Sequence, residues 1–351
     1  MPRKAGWPVL AVVVCVLCVG RMPVAAANEA AASSLDPELR GEILARTSAL
    51  PRLRSLLISV DGQLVEEQYY RGANERRLAN LKSASKSIIS ILVGIAIDLG
   101  YLDGLDQPIA EFFPRFFSGT VDPVKTTITL EDLLTMQSGL ETTSNRNYGR
   151  WVQSQNWARH VLSRPVVDHP GGRMIYSTGS THLLSAIITE ATGMSTLEFG
   201  RRQLAEPLGI TLPSWQRDPQ GIYFGGNEML LTPRAMLKIG LLYLGCGMLD
   251  GRQIVSESWV HASLEPHTRS RYSGREYGYG WWRRPLGGHQ AHYAWGYGGQ
   301  FIFVVPDLQL VVVMTSSPNP GEGRRPHLRA LYTLVEDLVI PAVERARVAQ
   351  R

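Results

Sequence analysis

The chain has 351 residues, 44% of them apolar and 19% charged, with a formal charge of +5. That supplies ample material for a core, as one large layered domain or two ordinary ones. A charge so small and so evenly spread gives a nucleic-acid role no support, and no repeat, low-complexity linker or charge block marks an internal boundary.

Arg3 and Lys4 precede an apolar run from Trp7 to Gly20, which is followed by Arg21 and Ala25-Ala26-Ala27. Charged, apolar and small residues in that order predict a secretory signal over 1–27 and a periplasmic or secreted protein over 28–351, with an uncleaved N-terminal anchor as the alternative. The run is too short for a comfortable membrane span and no later stretch reaches about 18 uninterrupted apolar residues, so no stable membrane insertion is expected. Losing Arg3, Lys4 and Arg21 takes the charge from +5 to +2. Cys15 and Cys18 fall within the signal, so no internal disulfide is expected of Cys246.

Residues 36–50 read as a helix, and Leu56–Val60 with Gln63–Tyr70 as a hairpin turning at Asp61-Gly62. Between 78 and 98, small and hydroxyl residues open into Ile88, Ile89, Leu92, Val93, Ile95 and Ile97, apolar nearly all round, which predicts a buried helix. Ser83 and Lys86 stand in its expected first turn. Three residues apart on a helix means one face, close enough for the amine to approach the hydroxyl. A serine there also faces unpaired backbone N–H groups and the positive end of the helix dipole, which favour a developing oxyanion. Such a Ser-x-x-Lys pair can be a nucleophile with its own base; the alternative is a solvated helix start. Chance alone supplies about 0.4 such pairs from 26 serines and five lysines. The apolar setting adds weight, because a lysine there is costly unless it has a function or a partner.

Farther on, Thr129–Gln137 reads as a helix with Thr129 as N-cap, and 141–160 as a long polar and aromatic loop. Helices are expected at Thr181–Thr192, Met194–Leu204, Thr232–Leu244 and Ser256–Ser263. Strands follow at Tyr277–Trp282, His292–Trp295, Gln300–Val305 and Leu308–Thr315, before a closing helix over His327–Val348. One arrangement accounts for this order. It is an α+β fold in which both ends of the chain (about 36–75 and 275–348) build an antiparallel sheet flanked by the terminal helices, and about 80–265 is an inserted all-helical region.

Four stretches bear on chemistry: Ser83-Ala84-Ser85-Lys86, Thr129 to Leu140, Tyr176-Ser177-Thr178 and Gly296-Tyr297-Gly298-Gly299-Gln300. In type, order and spacing they resemble the serine beta-lactamase and penicillin-binding superfamily, over most of 45–345, and within it the class C-type esterases and the 6-aminohexanoate-dimer hydrolase group. The resemblance implies a beta-lactamase/transpeptidase-like fold and a serine hydrolase of small esters, amides or beta-lactams that needs no cofactor. It implies Ser83 as the acylated nucleophile, Lys86 and Tyr176 as its proton-handling partners in either order, and backbone N–H groups of Ser83 and Tyr297 as the oxyanion site. Thr178 and Gly296 would flank the substrate.

Two positions depart from the family pattern. Thr178 stands where a Tyr-x-Asn motif has its carboxamide, and Ala294-Trp295-Gly296 stands where the third motif presents Lys or His. Without that cation, esters or amides lacking a carboxylate at that point are favoured over penicillins and cell-wall peptides. A beta-lactamase or D-Ala-D-Ala peptidase, and a non-catalytic binding homologue, are the competing readings. Tyr148, Trp151, Trp157, Tyr223, Trp281 and Trp295 are candidate walls of an apolar cleft. His289 and His292, three apart on a strand, point to opposite faces, so no metal site is expected there. The sequence has neither a Gly-x-Ser-x-Gly elbow nor a Gly-x-Gly-x-x-Gly turn opening a helix, which argues against an α/β-hydrolase and a dinucleotide cofactor.

Overall fold

A computed structural model describes residues 35–119 and 121–350. The expected export signal, with Cys15 and Cys18, lies outside the described residues. Eight strands form one antiparallel sheet, in the order 63–69, 53–60, 310–316, 300–305, 289–296, 282–286, 276–277 and 268–269. The two ends of the chain meet in the middle of this sheet, where Leu57 pairs with Val313 and Phe303 with Val312. Every residue of Gln300–Val305 and Leu310–Ser316 is buried, which is why these strands read as unbroken apolar runs.

Strand alternation divides the core in two. Phe301, Phe303, Val312 and Met314 face the helix Pro37–Ala49 and the C-terminal helical run 324–349. Ile302, Val304, Val311 and Val313 face the other way, toward Pro233–Leu244 and the helical region. The beta-lactamase/transpeptidase-like α+β architecture is therefore present, with sheet strands from both ends of the chain and helices between them.

Several expected elements begin and end elsewhere. The buried helix runs Ser85–Asp98, so Ser83 lies in a 3₁₀ turn, Lys82–Ala84, just ahead of the α-helix rather than inside it. Twelve of its fourteen residues are buried. The long loop over 141–160 contains two short helices, Tyr148–Val152 and Trp157–Leu162. Strand Trp282–Leu286 was not expected, and the closing helix starts at Arg324. No described helix is long and apolar enough to cross a membrane.

Candidate active site

The site grows from the turn that precedes the buried helix. Lys82 adopts a left-handed φ of +50°, a conformation that a side chain makes unfavourable unless neighbours fix it. They do so here. Asn80 Oδ1 accepts from the Lys82 amide at 3.0 Å, and Lys82 Nζ meets Glu228 Oε1 at 2.7 Å. One residue later Ser83 is half-buried. Ser85 Oγ ties the turn further, donating to Lys82 O at 2.7 Å and accepting from Met229 N at 3.2 Å.

Lys86 points back from the first turn of the helix. Its side chain is enclosed, and Nζ donates to Gly226 O at 2.6 Å, to Ser83 Oγ at 3.3 Å and to Thr178 Oγ1 at 3.4 Å. Among the described residues no carboxylate pairs with it, and burial pulls the ammonium down to about 7. Gly226 can be nothing larger: a Cβ there would lie 2.6 Å from Thr178 O and 3.3 Å from Lys86 Nζ.

Tyr176 closes the group from another segment. Its ring lies 5.1 Å from Lys86 Nζ and stacks on Trp282, with centroids 5.9 Å apart. Burial pushes its phenol up to about 12, a hydrogen bond with Ser83 working the other way. Thr178 opens the helix Thr178–Thr192 and is held by a residue the sequence reading passed over. Ser144 Oγ accepts from Thr178 N and lies against Thr178 Oγ1, both at 2.9 Å. The chain Lys86–Thr178–Ser144 thus links the amine to the 141–160 segment by hydroxyls.

On the opposite side, strand His289–Gly296 presses its last residue against the turn before Ser83. A Cβ on Gly296 would come within 1.9 Å of Leu81 O, so only glycine permits this approach. Beyond it Gly298 and Gly299 take φ of +90° and +109°, and Gln300, fully buried, fastens the turn by donating to Ser316 O at 2.8 Å and Tyr297 O at 3.4 Å. This turn carries the Tyr297 amide beside Ser83's own segment. The Tyr297 ring sits under the Arg324 guanidinium, 4.6 Å away.

Of the six aromatic cleft candidates, Tyr148 and Trp295 are half-buried, and Tyr148 Oη accepts from Asn227 Nδ2 at 3.0 Å. The other four are core. Trp151 is completely enclosed and packs with Trp157, His182 and Phe224, while Tyr223 and Trp281 are equally buried. Trp151 is therefore corrected from a substrate contact to a packing residue. His289 bonds Asp307 and Glu344, and His292 is enclosed. Among the described residues one trio has metal-ligand spacing, Cys246, Glu257 and His261, and it includes none of the residues around Ser83.

Sequence reasoning missed Ser144, Gly226 and Glu228, which reach Lys86, Thr178 or Lys82 only through the fold. The signals available were faint: Gly225-Gly226 inside a loop, and hydroxyls in Thr142-Thr143-Ser144.

Comparison with known proteins bears on the family and the fold. The chain is 26% identical to the 6-aminohexanoate-dimer hydrolase of Paenarthrobacter ureafaciens, covering 83% of each chain. In fold it resembles a candidate 6-aminohexanoate-dimer hydrolase from Bacillus anthracis, at 19% identity and a TM-score of 0.71, covering 88% of this chain and 82% of that one. It also resembles a candidate beta-lactamase from Bacteroides dorei, at 17% identity and a TM-score of 0.73, covering 88% and 98%. With residues 54–336 matching the family model for Beta-lactamase, the chain belongs to the beta-lactamase family.

Proposed function

We propose that this protein is an exported serine hydrolase that cleaves a small ester or amide through an acyl-enzyme on Ser83. The observation that carries the reading is the enclosed Lys86 amine, 3.3 Å from Ser83 Oγ and pulled down to about 7, which makes it an acceptor at neutral pH. Lys86 takes the hydroxyl proton as Ser83 Oγ bonds to the acyl carbon. Tyr176, pushed up to about 12, keeps its own proton at neutral pH, so it serves as a relay to the leaving group and not as the primary base. Backbone N–H groups of Ser83 and Tyr297 receive the charge that develops on the carbonyl oxygen. Water then repeats the sequence on the acyl-enzyme. Ala294, in place of a cation, favours substrates without a carboxylate beside the scissile bond, and the relative's name supports a linear amide among them. The order of residues in 1–27 supports export.

The test is a hydrolysis panel of short aryl esters, amide oligomers, a chromogenic cephalosporin and a D-Ala-D-Ala peptide, with fluorophosphonate labelling, on the wild type and Ser83→Ala. Ester or amide turnover and labelling that both vanish in Ser83→Ala are expected. Equal labelling of the two proteins would overturn the nucleophile, and cephalosporin or peptide turnover without ester or amide turnover would overturn the substrate class.

A further inference from the structure

The end of the sheet that carries Gly296 also carries ends of the strands 300–305, 310–316, 53–60 and 63–69, and a second feature lies there. A cleft of about 330 Å³ opens between the 73–80 segment and the 315–319 segment, lined by Arg54, Arg77, Asn74, Asn80, Thr315 and Ser317. Arg52 reaches the same rim, donating to Ser317 O. Arg54 donates from Nη1 to Pro51 O and Leu53 O, and Arg77 from Nη1 to Gly72 O. Among the described residues none of Arg52, Arg54, Arg71 and Arg77 forms an ion pair. The carboxylates on the flanking segments are engaged elsewhere: Glu67 and Glu75 by Arg234, and Glu228 by Lys82.

Arg54 and Arg77 line the cleft, and Arg52 and Arg71, the latter donating to Ser48 O, are near enough to act on Arg54; without an anion these charges repel one another. Burial, then Arg77, Arg71 and Arg52, hold Arg54 below the usual arginine range. Burial, then Arg52 and Arg54, pull His327 down to about 4. The positive potential is thus felt by two separate groups, and among the described residues no acid pairs with the arginines of the cleft.

The position relates this cleft to the chemistry. Asn80 lines it and stands three residues before Ser83, so their Cα atoms are at most about 11 Å apart. Counted across the sheet, Arg54 lies on the strand 53–60, three strand spacings or about 14 Å from the motif strand 289–296. Ser317, on its rim, is against the turn that carries Tyr297, since a Cβ on Gly298 would lie 2.5 Å from Ser317 O.

We propose that Arg54 and Arg77, supported by Arg52 and Arg71, bind the carboxylate at the far end of an extended substrate whose scissile bond lies at Ser83. This rests on the hydrolase reading and narrows its substrate class to a chain that ends in an acid roughly 10 to 15 Å from the reacting carbonyl. The guanidinium forks suit a carboxylate in geometry as well as charge. The missing third-motif cation and this cleft then make one pattern, in which the negative charge is recognised away from the bond that breaks.

The experiment uses p-nitrophenyl monoesters of dicarboxylic acids graded in length, each beside its methyl-capped neutral counterpart, with the full protein and with Arg54→Ala, Arg77→Ala and Arg77→Lys. Arg77 is exposed on its loop, so its substitution leaves the fold standing even if Arg54→Ala does not. The wild type is expected to prefer the acid-ended esters above a threshold length. Removing either arginine should lower that preference about tenfold or more through KM, with Arg77→Lys falling between. A free dicarboxylate titrated into Ser83→Ala by calorimetry should bind, more weakly as salt is raised, and lose affinity in the arginine variants. That titration decides the cleft even if no ester is turned over, so its failure and that of the hydrolase reading are separable. No preference for acid-ended esters at any length, a preference that survives both arginine substitutions, or binding of inorganic phosphate without binding of dicarboxylate would each overturn the proposal.

Discussion

The pH dependence of turnover follows directly from the burial of Lys86. An amine whose ordinary value of 10.5 falls to about 7 has lost about 5 kcal/mol of preference for its charged form, all of it attributed to enclosure. Two measurements follow. If Lys86 must be neutral to accept the Ser83 proton, kcat/KM for an aryl ester should fall about tenfold per pH unit below 7 and level off above it. Replacing Lys86 by Met should remove that inflection together with about a hundredfold or more of the rate. Stability has its own sign. Between about pH 7 and 10.5 the unfolded chain holds a proton on this lysine that the native chain does not, so the wild type gains stability as pH rises through that window. Lys86→Met should accordingly be more stable than the wild type at pH 6, by up to several kcal/mol, and the gap should close by pH 10. Denaturant melts at pH 6, 8 and 10 beside the rate profile provide the assay. A wild-type inflection near 10, or a Lys86→Met variant less stable at pH 6 than the parent, would refute the argument.

Gly296→Ala should abolish activity, because its methyl group would have to displace Leu81 O and with it the turn before Ser83, and circular dichroism should show whether the fold survives. Ser144→Ala leaves the buried Thr178 amide without its acceptor; it should cost about 1 to 3 kcal/mol in a denaturant melt and move the kcat/KM inflection, as a purely structural residue would not. Trp151→Ala should lower stability by about 3 to 5 kcal/mol while leaving KM of the surviving folded protein near the parent value; a large KM effect with little destabilisation would return Trp151 to the cleft.

How far the sequence carried the reading depends on the distance over which each signal acts. Asp61-Gly62 announced its hairpin because both residues take positive φ, 52° and 77°, and few other residue pairs tolerate that. Thr129 and Asp132 announced a helix start through a reciprocal capping box formed within four residues. The spacing of Ser83 and Lys86 survived the change from α to 3₁₀ at the serine because both helices keep residues three apart on one side. Strand 282–286 was hidden by Arg283, Arg284 and Pro285, which contradict strand patterning and are tolerated because this strand lies toward the short end of the sheet. Tyr148–Val152 and Trp157–Leu162 are too short for a helical period to register. Gly226, 140 residues from Lys86 in sequence, left no local trace at all of the contact it makes.

The short stretch 226–229 touches the Ser83 turn and Lys86 from both sides: its first carbonyl accepts from Lys86, its glutamate pairs with Lys82, and Met229 accepts at its carbonyl from the Leu81 amide while its own amide donates to Ser85 Oγ. The turn that presents Ser83 and the amine of Lys86 are therefore surveyed from a common benchmark. A displacement of that stretch would therefore bear on the turn and on the amine together rather than on either one alone.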